Sequence, residues 1–230
     1  MAIARLAVAS IRHGALCFRQ PDLVAASGNG KIRSIECVSP AHISHNVVNI
    51  MTDSSRNIGL FYGSSTCYTE MAAEKIQARL NQLLAPQTVM LFNIKDVPLT
   101  QAEQFDTLIF GISTWDFGEL QEDWASQWDD VRELHLQDKT VALFGLGDQL
   151  GYTDWFQDAL GLLHDELAVL GCQFIGYWPN QGYDFAHSKA LIAEGEFFVG
   201  LCLDDENQYE QSDARIEQWC QQLVDELADM

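Results

Sequence analysis

From Ile58 to the end of the chain, apolar residues follow two alternating patterns: short runs rich in β-branched and aromatic side chains, and longer stretches with a helical period. Ile58–Tyr62 carries no charge and predicts a first strand. Thr69–Leu84 sets Ala72, Ile76, Leu80 and Leu83 on one stripe with Pro86 just beyond, and predicts a helix. Thr88–Phe92 and Thr107–Ile112 predict the second and third strands, the latter apolar enough to be buried on both faces. Leu120–Asp130 predicts a short helix and Thr140–Phe144 a fourth strand. Asp154–Leu170 predicts a long helix with Phe156, Leu160, Leu163 and Leu167 inward, stopped by Gly171. Phe174–Trp178 and Phe197–Leu203 predict two more extended pieces. Ser212 is the expected cap of a last helix with Ile216, Trp219, Cys220, Leu223 and Leu227 on one face.

Strands that alternate with helices predict an α/β fold, an open doubly wound parallel sheet with helices on both faces. Ligands bind such sheets outside the carboxyl ends of the strands. The informative segments are then the loops after the first, third and fourth strands. The first runs Ser64-Ser65-Thr66-Cys67-Tyr68-Thr69 into a helix, with no Lys or Arg between Ile58 and Glu70. A helix N-terminus offers free N–H groups and a positive dipole end, so it can hold a phosphate through neutral donors alone. The same hydroxyls could instead only cap the helix. G-x-x-x-x-G-K-[ST] and G-x-G-x-x-G are both missing from this loop, which argues against a nucleoside-triphosphate or dinucleotide site there.

The loop after the third strand is Ser113-Thr114-Trp115-Asp116-Phe117-Gly118. An indole at a strand's carboxyl end is placed to cover a planar ligand, or else to pack on its own loop. The loop after the fourth strand, Gly145-Leu146-Gly147-Asp148-Gln149-Leu150-Gly151-Tyr152-Thr153-Asp154, combines close backbone approach with an aromatic ring at its tip.

Charge narrows the partners. Residues 1–50 hold five basic groups and two acids, a balance of +3, whereas residues 51–230 hold 8 basic groups and 31 acids, a balance of −23. Such a surface repels nucleic acid and anionic membranes and is drawn to basic protein surfaces. No apolar run reaches the span of about 18 residues that a membrane helix needs. The six cysteines form no C-x-x-C pair and match no zinc or iron–sulfur spacing. Cys172, Cys202 and Cys220 lie in apolar segments and read as buried thiols of a protein in a reducing compartment. Residues 1–56 are weakly basic and lack a sustained period. A targeting segment, a disordered tail and translation upstream of a true start at Met51 compete to explain them, and the last is favoured.

Taken together, Gly59-Leu60-Phe61-Tyr62-Gly63-Ser64-Ser65-Thr66, Thr114-Trp115-Asp116-Phe117-Gly118-Glu119-Leu120 and Gly145-Leu146-Gly147-Asp148-Gln149-Leu150-Gly151-Tyr152 resemble the flavodoxin family. Gly182-Tyr183-Asp184-Phe185 and Val199-Gly200-Leu201-Cys202-Leu203-Asp204 bracket an extra loop like that of its long-chain subgroup, and the second bacterial type is the nearest likeness. The resemblance implies a flavodoxin-like five-stranded parallel sheet of order 2-1-3-4-5, with a long insertion in the last strand, over residues 57–230. It implies one noncovalently bound FMN. Ser64, Ser65, Thr66 and Thr69 would hold the phosphate in the loop that includes Cys67 and Tyr68. Trp115 and Tyr152 would cover the two ring faces, with Ser113, Thr114, Asp116, Phe117 and Gly118 framing the first. Asp148 and its loop, from Gly145, Leu146 and Gly147 to Asp154, would meet the pyrimidine edge.

By the same likeness the protein is a low-potential one-electron carrier without turnover of its own. It would be a cytoplasmic monomer served by an NADPH-dependent flavodoxin/ferredoxin reductase, and would pass electrons to acceptor enzymes with basic docking surfaces. The family rearranges the peptide that corresponds to Asp116–Phe117 on reduction, a change Phe117 should resist more than Gly. Many relatives carry Gly where Cys67 stands, and a redox role for that thiol is a further option. Two rivals remain: an FMN-dependent quinone or nitro-compound reductase on the same fold, and a flavin-free receiver-like domain. His135, His164 and His187 lie off the three loops, and no Ser–His–Asp set or G-x-S-x-G motif is present.

Overall fold

The computed structural model describes residues 57–85 and 88–230. The expectation for residues 1–56 lies outside them. Strand β1 (Ile58–Tyr62) is central and pairs in parallel with β2 (Val89–Asn93) on one side and β3 (Thr107–Trp115) on the other. β3 pairs in parallel with β5 (Thr140–Leu146) from Thr107↔Thr140 to Ser113↔Leu146. The fifth position is shared. β6 (Gln173–Ile175) pairs with Thr140–Ala142 at the start of β5, and β10 (Leu201–Leu203) pairs with Phe144–Leu146 at its end. The order is therefore the expected 2-1-3-4-5, with the last strand split by residues 176–200. That insertion forms its own small antiparallel sheet from β7 (Trp178–Pro179), β8 (Leu191–Ile192) and β9 (Phe197–Phe198).

Helix α1 (Tyr68–Leu83) buries Ala72, Ala73, Ile76 and Leu80, the stripe legible in the chain. Full burial of side chains the size of Ile76 and Leu80 stabilises the fold by about 1.5–3 kcal/mol each. The same helix packs along α5 (Tyr209–Ala228) and is tied to it by the ion pairs Lys75–Asp213 and Arg79–Glu217. α4 (Asp158–Ala168) packs on β3 and β5, so helices cover both faces of the sheet. Between the layers lie Phe61, Phe110, Phe144, Leu60 and Leu143, all essentially inaccessible. No helix of the described residues is long and apolar enough to cross a membrane.

Five element boundaries differ from expectation. The helix expected from Asp154 starts at Asp158, because Gln157 takes φ +62° and residues 154–157 form turns. The helix expected over Leu120–Asp130 is two short ones, α2 (Glu122–Ser126) and α3 (Trp128–Val131). Leu120 instead joins Glu119 in β4, which folds back on Thr114 and Trp115. The piece expected at Phe174–Trp178 breaks at Gly176, whose φ of +75° turns the chain out of the sheet and whose carbonyl accepts from Trp219 Nε1. The piece expected at Phe197–Leu203 breaks likewise into β9 and β10. Ser212 does not cap the last helix. It is buried inside α5, which starts after Gln208, and its hydroxyl donates to Asp205.

Candidate functional site

The carboxyl ends of β1, β3, β5 and β10 open into one cleft of about 310 Å³. Thr66, Tyr68 and Thr69 line one end of it. Ser113, Thr114, Trp115 and Asp116 form a second wall, and Leu146, Gly147, Asp148 and Tyr152 a third. The three loops singled out in the chain thus converge. Asp205 and Glu206, from the loop after β10, complete the lining and were not anticipated. Of the other expected residues, Ser64, Ser65, Cys67, Phe117 and Gly118 sit in the same loops without lining the cleft, Gly145 lies inside β5, and Asp154 faces a separate groove beside α4.

At the first end, Cys67 stands immediately before α1 with φ +69°, in the left-handed region that favours glycine. This is where a relative's Gly was expected to matter. No side chain caps the helix, so the hydroxyls of the loop are not spent on its first turn. Ser64 Oγ is buried without a hydrogen-bond partner among the described residues. A buried donor left alone is costly, and this one lies in the loop that leads into the uncapped start of α1. Unpaired hydroxyl, free amides and helix dipole together form a cradle that suits a phosphate.

At the second wall, β3 extends to Trp115 because β4 pairs back on it through the turn Asp116-Phe117-Gly118. Gly118 N donates to Trp115 O at 3.1 Å, and Asp116 and Gly118 take φ +41° and +89°. Trp115 Nε1 donates to Ser113 Oγ at 3.0 Å, which fixes the indole's edge while 36% of the residue stays exposed. Phe117 is 68% exposed, and its ring meets Trp155 and Tyr152 edge-on at centroid distances of 5.1 and 6.5 Å.

At the third wall, Asp148 folds its own loop. Its Oδ1 accepts from Leu150 N at 3.1 Å, Gly151 N at 2.7 Å and Asn207 Nδ2 at 2.8 Å. Tyr152 N donates to Asp148 O at 3.1 Å, and the phenol ring stands at the cleft, 39% exposed. The four carboxylates on the walls, Asp116, Asp148, Asp205 and Glu206, meet no Lys or Arg among the described lining residues. The cleft therefore has an uncharged end with free donors, two partly exposed aromatic rings and an acidic rim.

A family model described as flavodoxin matches residues 60–219. The chain belongs to the flavodoxin family. Proteins called Flavodoxin 2 from Escherichia coli K12 and Salmonella typhi are 57% identical over 173 residues, covering 75% of this chain and 98% of theirs. A flavodoxin from Synechococcus elongatus is 44% identical over 74% of this chain and 97% of its own. The solved flavodoxin of Fusobacterium nucleatum bound to flavin mononucleotide superposes with a TM-score of 0.68 at 28% identity, covering 74% of this chain and 98% of that one. Both the family and the likeness to a second bacterial flavodoxin agree with the motifs. Among the thiols, burial pushes Cys202 well up and Cys220 to about 12, while Cys172 is half-buried and raised for the same reason. Only Cys67 of these four is exposed in this flavodoxin.

Proposed function

We propose that this chain is a low-potential electron carrier that works through one noncovalently bound FMN. The observation that carries this is the uncapped start of α1, whose Tyr68 and Thr69 line the same cleft as Trp115 and Tyr152, with the buried, unpartnered Ser64 hydroxyl in the loop just before it. FMN, when bound, supplies the one-electron chemistry, and the protein supplies position and field. Ser64, Ser65, Thr66 and Thr69 hold the phosphate together with the loop's amides. Trp115 and Tyr152 would flank the ring system, and Asp148 and its loop would close the remaining wall. The carboxylates Asp116, Asp148, Asp205 and Glu206 oppose any added negative charge in the cleft, which lowers the potential at which electrons leave.

The carrier works between an NADPH-dependent flavodoxin/ferredoxin reductase and acceptor enzymes with basic docking surfaces, as a cytoplasmic monomer. The balance of −23 over residues 51–230 supports this pairing. Electron-transfer encounters of this kind are small and transient. The chain has no turnover of its own. The test is a relay assay with FMN-loaded protein, NADPH, a ferredoxin–NADP reductase and cytochrome c. Cytochrome reduction is expected only when reductase and carrier are both present. NADPH consumption by the carrier alone with a quinone would contradict the reading.

A further inference from the structure

The hydroxyl loop that leads to the cleft, at Ser65, rests on a residue that does not line it. Gln121 is fully buried at the start of α2. Its Oε1 accepts from two backbone donors, Asp123 N at 3.1 Å and Trp124 N at 3.2 Å. Only an amide oxygen can satisfy two N–H groups, so the orientation of this side chain is fixed by its surroundings. The Nε2 end must then point the other way. It donates to Ser65 Oγ at 3.0 Å and to Asp123 Oδ2 at 2.8 Å.

The platform beneath is anchored to the sheet. Trp124 is buried on the first turn of α2 and its Nε1 donates to Gly111 O of β3 at 2.9 Å. The loop lies directly on the amide because Gly63 has no side chain. A Cβ there would collide with Gln121 Oε1 and Trp124 Cδ1.

A hydroxyl has one proton and two lone pairs. Ser65 Oγ already accepts from Gln121, so its proton cannot serve that contact and is free to donate outward, where Ser65 is exposed. We propose that Gln121 is a positioning residue for the FMN phosphate: it presents Ser65 to that phosphate as a hydrogen-bond donor. This rests on the reading that the cleft binds FMN.

The test uses FMN-free protein titrated with FMN by quenching of flavin fluorescence. Gln121→Glu keeps the acceptor for Asp123 N and Trp124 N but draws Ser65's proton toward itself. It is expected to weaken FMN binding at least about tenfold, or about 1.4 kcal/mol. In a Ser65→Ala background the same substitution is expected to cost less than about threefold. Riboflavin, which lacks the phosphate, is expected to bind wild type and variant within about twofold of each other. Equal losses in the two backgrounds would mean plain charge repulsion, and equal losses for FMN and riboflavin a scaffold defect; either overturns the proposal. Gln121→Met, which has neither charge nor donor, is expected to show the same Ser65-dependent loss and decides the matter if the Glu variant does not fold. A wild-type protein that takes up no FMN would instead overturn the cofactor reading itself.

Discussion

Asp204→Asn is the smallest change that should loosen the third wall of the cleft. Asp204 is fully buried at the end of β10. One carboxylate oxygen accepts from Gln149 N at 3.1 Å and Gln149 Nε2 at 2.6 Å. The other accepts from Asn207 N at 3.0 Å, and Asn207 Nδ2 lies 3.0 Å from both. In asparagine one oxygen becomes an NH₂ group that cannot accept. Turned toward Gln149, it strands two donors; turned toward Asn207, it strands the backbone N–H and weakens the amide contact. Bonds to a charged acceptor contribute about 1.5–3 kcal/mol each, and a stranded buried donor costs about 1–3 kcal/mol. Relief from burying a charge offsets part of this. The expected net loss is about 2–4 kcal/mol out of about 5–15 kcal/mol for a domain of this size, a fall in Tm of about 5–15 °C. Urea unfolding of the FMN-free protein reads it directly, since bound ligand would add its own stabilisation. The midpoint should fall with the slope unchanged. A loss below about 1 kcal/mol would refute the reasoning, because it would mean that these donors find other partners.

Phe117→Gly removes the Cβ from the hairpin turn and frees its backbone; the gap between the two one-electron potentials is expected to widen by about 20–40 mV, the equivalent of about 0.5–1 kcal/mol. An unchanged or narrower gap in a redox titration counts against the role given to Phe117. Reduction of the carrier by its reductase should slow several-fold between about 50 and 500 mM salt, as exposed acids around the cleft are screened. A flat stopped-flow profile removes the steering claim. A chain that begins at Met51 should bind FMN within about twofold of the full chain, since among the described residues the cleft lining starts at Thr66 and the hydroxyl loop before it at Ser64. A large loss of affinity would give residues 1–50 a part in the site.

What could be read in the chain was whatever hydrophobic period reports. The β1-loop-α1 unit, the central strands and the convergence of three loops all followed from it. Buried polar residues were what it missed. Gln121, Gln149 and Gln157 look like surface residues in a pattern of apolar stripes, yet each is buried and directs backbone. Gln121 starts α2 where a longer helix was expected, and Gln157 breaks the helix expected from Asp154. Gln149 ties the Tyr152 loop to the insertion, accepting from Asp184 N at 2.6 Å. Ser212 misled for the opposite reason: a hydroxyl before an amphipathic run suggests a cap, but here packing against Asp205 holds it inside the helix. Asp205 and Glu206 were legible in principle. They follow the fifth strand at the same carboxyl edge as the loops after the first, third and fourth strands, but carry no glycine, hydroxyl or aromatic signal of their own.

A visible spectrum recorded during stepwise reduction of the purified protein tests the central claim most directly. The expected result is one FMN per chain, released on denaturation, with the second one-electron step well below that of free FMN. A protein that stays colourless after incubation with FMN, or whose bound flavin accepts both electrons at the potential of the free cofactor, would contradict it.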